Sequence, residues 1–183
     1  MGPYLAYLAF ALLPAPPEGT ISPPCSPAEC LRRITAHVPV TPLAPSRDAL
    51  AGVWKSGGGL SGFNLYLFQD LHFIHTEWAD IQPETIYDKG TWRPADDVIF
   101  LSRDADITWL SPTSDSRYLI FRIADDPTTL LLGLDFRLSI FESLVRETPQ
   151  RARGYLRASS FTRERAWSPG EGEIQKGQVP FRV

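Results

Sequence analysis

Phe63-Asn64-Leu65-Tyr66-Leu67-Phe68, a turn at Gln69-Asp70, and then His72-Phe73-Ile74-His75-Thr76-Glu77-Trp78 decide the fold class of this chain. Both runs are short, rich in aromatic and β-branched residues, and bounded by turn formers, which is the pattern of strands. The pattern recurs on either side. Residues 50–55 precede it across the glycine-rich loop 56–62, and residues 89–93, 98–102, 107–110, 118–124 and 129–135 follow it. The connections are short enough for sequential neighbours to pair antiparallel. The reading is a mainly β protein, an antiparallel meander closing into a barrel of roughly eight strands. Leu130, Leu132, Leu134 and Phe136 give the last of these strands one wholly apolar face. Ile140, Phe141, Leu144 and Val145 then recur at helical spacing, predicting a helix over residues 138–147 after the last barrel strand, and 155–163 reads as a further edge strand.

Composition narrows the class. Hydrophobic residues make up 43% of 183 and charged residues 21%, which excludes a disordered chain and a multi-span helical membrane protein. A formal net charge of -3 argues against a nucleic-acid binder. Residues 4–13 (YLAYLAFALL) form an apolar run too short to span a bilayer but suited to a signal-peptide core, so residues 1–15 read as a signal peptide and the protein as secreted or periplasmic. Residues 16–47 read as a proline-rich linker carrying one short helix, 48–164 as the barrel domain, and 165–183 as a Gly/Pro/charged tail. Ser26-Pro27-Ala28-Glu29 has the form of a capping box with proline at the first helical position. Cys25 and Cys30 flank that helix start at positions that lie side by side, and as the only two cysteines they are expected to form a disulfide.

The chemical motifs are sparse. Gly57-Gly58-Gly59-Leu60-Ser61-Gly62 matches a dinucleotide-binding pattern, but a strand follows it where that chemistry needs a helix N-terminus, so it reads as a hairpin loop. His75 and Glu77 share a strand face with Phe73, and any enzymatic reading rests on that pair alone. No metal or cofactor is expected. Trp54 and Trp92 each end a G-x-W triplet, where glycine allows close backbone approach and the indole fills a core.

The short helix, the G-x-W of Asp48-Ala49-Leu50-Ala51-Gly52-Val53-Trp54 on the first of eight meandering strands, and the following helix and strand resemble the lipocalins and the wider calycin group. Lys55 departs from the aromatic or apolar residue often found next in that family. The resemblance covers roughly residues 48–163 and implies a barrel that holds a small apolar ligand, inhibits a protease or stabilises a partner. It also implies an arginine packed over the first-strand tryptophan, for which Arg122 and Arg157 are the candidates.

Aromatic and apolar residues expected to line the interior are Trp54, Tyr66, Phe68, Ile74, Trp92, Phe100 and Trp109. Residues 46–145 carry a net charge of -7 and residues 146–183 a net charge of +4. Alternate loops of a meander share one end, which predicts an acidic rim of Asp80, Glu84, Asp88, Asp104, Asp106, Asp125 and Asp126. Such a rim favours a small hydrophobic ligand that is neutral or cationic, or a basic protein partner. The expected function is therefore an exported, non-catalytic ligand-binding barrel, the alternative being a filled-core envelope accessory or inhibitor-type protein that acts through its loops.

Overall fold

The structure, a computed structural model, describes residues 25–104 and 116–168. The leader segment, the expected strand at 107–110 with Trp109 and Asp106, and the tail beyond Ser168 lie outside these residues. The elements run α1 (Pro27–Thr35), β1 (Val40–Pro42), α2 (Arg47–Leu50), β2 (Gly52–Gly58), β3 (Ser61–Leu67), β4 (His72–Ala79), β5 (Gln82–Ala95), β6 (Val98–Arg103), β7 (Ser116–Ile123), β8 (Thr129–Gly133), α3 (Leu138–Glu147), α4 (Pro149–Ala158) and β9 (Ser160–Ala166).

Strands β2 to β9 pair antiparallel in sequence order, and β9 returns to pair with β2 as well as β8, so the eight strands close into a barrel. The mainly β, eight-stranded reading holds, with two differences in how the circle is completed. Residues 155–163 divide between α4 and β9, and β9 closes the barrel instead of adding an edge. The helix expected after the last barrel strand is the first of a pair, α3 and α4, that connects β8 to β9. Strand β1 lies beside β7 beyond the end of β6, Val40 opposite Ile123 and Val98 opposite Leu119.

Side-chain alternation around this circle creates two main cores. Trp54, Leu65, Leu67, Phe73, Trp92, Ile99, Leu101, Ile120 and Leu131 point inward and fill the interior. Leu119, Phe121, Leu130 and Leu132 point outward and pack against Cys30 and Ile34 of α1, Leu138 and Phe141 of α3, and Ala152 and Leu156 of α4. The apolar face of residues 130–136 therefore meets helices, while Leu131 on its other face meets the interior. A burial of both faces explains the unbroken Leu130-Leu131-Leu132 run.

The N-terminal helix follows from its caps. Ser26 accepts from the Glu29 amide at 3.3 Å and Pro27 occupies the first turn. The Glu29 carboxylate does not reach back to complete the capping box; Arg32 on the next turn holds it at 2.7 and 2.9 Å. Cys25 and Cys30 are disulfide-bonded, with Cα atoms 5.5 Å apart. Arg33 ties α1 to Glu142 of α3.

The two G-x-W triplets play matching parts. Trp54 Nε1 donates to the Leu50 carbonyl and Trp92 Nε1 to the Phe68 carbonyl, both at 2.9 Å, so each buried indole satisfies its polar atom on the backbone. Each glycine lies under a neighbouring strand. A Cβ on Gly52 would sit 2.4 Å from the Arg165 carbonyl oxygen, and one on Gly90 2.1 Å from that of Ser102. Gly90→Ala is accordingly expected to lower stability by about 2–3 kcal/mol, because backbone must move to admit the methyl group. Gly58→Ala, with nothing within 4 Å, should leave stability unchanged or raise it by up to about 1 kcal/mol. Urea unfolding of the two variants checks the contrast.

Candidate functional site

Pairing registers place each expected interior residue. Trp54 and Trp92 point inward. Tyr66, Phe68 and Ile74 do not: Val53, Tyr66 and Ile74 stand opposite one another on the outer face, and with Phe68 they form a separate external cluster. Trp167 covers it, stacked on Phe68 at 5.3 Å and on Tyr66 at 6.2 Å, its Nε1 donating to the Leu67 carbonyl at 2.7 Å. Phe100 is also external, with the Arg93 guanidinium 4.1 Å from its ring centre. The inward residues of β3 are Phe63, Leu65 and Leu67.

The acidic residues do not form one rim. Asp80 and Asp104 belong to the hairpin end of the barrel, where β2 meets β3 and β4 meets β5, whereas Asp125 and Asp126 lie in the β7–β8 turn at the opposite, α2 end. The difference arises because β6 pairs directly with β7, which sets the parity of the later loops one step away from that expected. Glu84 and Asp88 are within β5, not in a loop. Glu84 lies on the outer face and accepts from Asn64, Tyr66 and Thr76. Burial opposes its ionisation, but these three donors prevail and hold its pKa below the ordinary value, while burial and then the Glu84 charge push the Tyr66 phenol up.

Asp88 points inward and is 1% exposed. Its carboxylate meets the Arg103 guanidinium at 2.5 Å, and Arg103 also donates to Ser116 at 3.0 Å. Burial raises the Asp88 pKa against the pull of Arg103. His75 stands opposite Asp88 in the β4–β5 pairing and packs between the rings of Phe63 at 5.3 Å and Phe161 at 5.6 Å. It is buried while Glu77 is exposed, so the pair behind the enzymatic reading has no common cleft. Among the described residues no three or more His, Cys, Asp or Glu side chains are grouped to hold a metal ion.

At the α2 end a pocket of about 280 Å³ opens between the β1–α2 strap and the barrel. Leu43, Ala44 and Pro45 from the strap, Ala49 and Leu50 from α2, and Trp54 supply apolar wall; Arg122, Thr129 and Arg163 supply the polar wall. Strap and barrel are joined by the Leu43 amide donating to the Ile120 carbonyl at 2.9 Å. Arg163 is the arginine over the first-strand tryptophan, its guanidinium carbon 5.9 Å from the Trp54 ring centre and its Nη2 donating to the Ala51 carbonyl at 2.8 Å. Neither expected candidate takes that place. Arg122 bonds to Thr129 at 3.4 Å and Arg157 pairs with Asp126. A register shift in the β2–β9 pairing, between Val53 and Trp54, brings Arg163 opposite Trp54. An inward arginine on a strand gives no apolar periodicity, so only the pairing reveals it.

No known protein family, no curated protein and no solved structure matches this sequence.

Burial, followed by the Arg103 charge, lowers the His75 pKa from 6.5 to about 4. Between these values the unfolded chain binds a proton at this position that the folded chain does not, so stability falls as pH drops from about 6.5 to about 4. The loss amounts to about 3 kcal/mol. Asp88 titrates in the opposite sense and is common to both proteins in a comparison with His75→Gln. That variant is expected to lose less stability across this window than the native chain, as measured by urea unfolding at a series of pH values.

Proposed function

We propose that this chain is an exported, non-catalytic, lipocalin-like barrel that holds a small amphipathic molecule at its α2 end. The observation that carries the reading is the pocket itself, in which the Trp54 ring, Leu43, Leu50 and Pro45 face Arg122, Thr129 and Arg163 across about 280 Å³. An apolar wall with a few converging polar groups is the usual make-up of a small-molecule site, and this volume suits a small ligand. The closed meander, the G-x-W on its first strand and the arginine over that tryptophan support the lipocalin-like description. Export is supported by the apolar run at 4–13 and the Cys25–Cys30 bridge, which persists in an oxidising compartment. No helix among the described residues is long and apolar enough to cross a membrane.

The alternative, an accessory or inhibitor-type protein acting through its loops, draws support from the filled interior and from two hairpin tips. Leu60 is 73% and Ile81 90% exposed, and the neighbouring Asp80 amide donates to the Leu60 carbonyl, so the tips stand side by side.

One titration separates the readings. With 1-octanol, octylamine and octanoate added in turn to nitrogen-15-labelled protein, at least one is expected to shift the Trp54 indole resonance saturably. Ala49→Trp, which fills the pocket from an exposed position, should abolish the shift without lowering the melting temperature appreciably. No saturable shift with any of the three would overturn the pocket reading and leave the loops as the working surface.

A further inference from the structure

We infer that the α2-end pocket selects an amphipathic oxyanion, a carboxylate or phosphate on a short apolar body, through Arg122 and Arg163. The inference rests on the pocket reading above and adds the chemical class of its ligand. The charges that line the pocket carry it. Several buried or half-buried charges elsewhere are met within the fold, Arg103 by Asp88, Glu142 by Arg33 and Glu84 by three neutral donors, while half-buried Arg153 donates to the Ala124 carbonyl. At the pocket, two guanidiniums share one concavity and no carboxylate lines it.

Of the acids near the lining residues in sequence, Asp125 is exposed and does not line the pocket, and Glu164 pairs with Lys55 at 2.7 Å. Asp126 accepts from the Thr128 amide with one oxygen and pairs with Arg157 through the other. Asp48 pairs with its neighbour Arg47 at 3.7 Å on the exposed side of α2. Among the described residues neither Arg122 nor Arg163 has an ion-pair partner; they bond only to the neutral Thr129 hydroxyl and Ala51 carbonyl. Burial alone, with no opposing charge, lowers the pKa of Arg163. Arg163, half-buried over the Trp54 ring, and the more exposed Arg122 place two positive charges on one concavity, an arrangement that a bound anion relieves, and the partial burial of Arg163 strengthens the attraction. Thr129, which accepts from Arg122, retains its own hydroxyl proton for an oxygen of the ligand. The apolar residues on the strap side set the second requirement, a short hydrocarbon body.

This assignment reverses the sign expected from the sequence. The preference for neutral or cationic ligands depended on an assembled acidic rim, and the pocket lies at an end where the lining charges are positive.

The test compares octanoate, octyl phosphate, octanol and octylamine by the Trp54 indole shift at pH 7. Octanoate or octyl phosphate is expected to bind at least about tenfold more tightly than octanol, the scale of one charge-assisted hydrogen bond. Whichever of the two binds more tightly distinguishes a carboxylate from a phosphate head. Arg122→Gln should bring the anion to within about twofold of octanol measured on the same variant, whereas Arg122→Lys should keep most of the preference. Arg122 is the informative position because Arg163 also packs on Trp54. Octanol or octylamine binding as tightly as both anions, or an anion preference untouched by Arg122→Gln, would overturn the oxyanion assignment while leaving the pocket reading intact. Absence of binding by all four compounds would overturn both.

Discussion

A sheet edge is a row of unpaired amides and carbonyls, and the barrel here is left without one because β9 lies between β8 and β2. The rest of the architecture depends on that double pairing. Once the circle closes, alternate side chains share an enclosed space, and Trp54, Trp92, Phe73 and the leucines of β3 can exclude water together. The same pairing supplies Arg163 over Trp54. The direct pairing of β7 with β8 makes their outer wall continuous, giving α1, α3 and α4 one apolar surface to cover.

Strand existence was readable in the sequence because aromatic and branched residues cluster between turn formers; strand facing was harder. Residues 63–68 are buried on both sides, so alternation there selects no face. Asn64 was the available signal: a polar residue in register with Tyr66 and Phe68 marks their side as the outer one. Phe100 is similar, flanked by Arg93 and Arg117 on neighbouring strands. The long β5 was missed because Pro83, Glu84 and Asp88 resemble a loop, yet the strand carries Asp88 inward to an arginine and shifts register near Ile86 to do so. The tryptophans with their close-approach glycines, the disulfide and the capped helix were read from local chemistry. The two-arginine pocket was not, because its residues come from six elements or connections and converge only through closure.

The two ends of the barrel differ in their electrostatics. Toward the hairpin end, the interior charges compensate one another, and the aromatic rings around His75 leave that imidazole neutral at ordinary pH. At the α2 end the strap and the short helix lie across the opening, and their one acid, Asp48, does not line the pocket, so positive charge remains beside apolar wall. The binding chemistry we propose is therefore placed at the strapped end, since the apolar side chains of the inner core fill the interior between the two ends.

The position of α3 and α4 in the chain has a consequence for how the molecule is made. Seven strands can zip together hairpin by hairpin as they leave the ribosome, each pairing being local. Yet the margins of β2 and β8 face nothing until residues 160–166 have been translated, after two helices have been laid down against the outer wall. For that interval a sheet of β2 to β8 has two adhesive borders, and α3 and α4, which pack on β7 and β8, lead the chain to the gap that β9 fills.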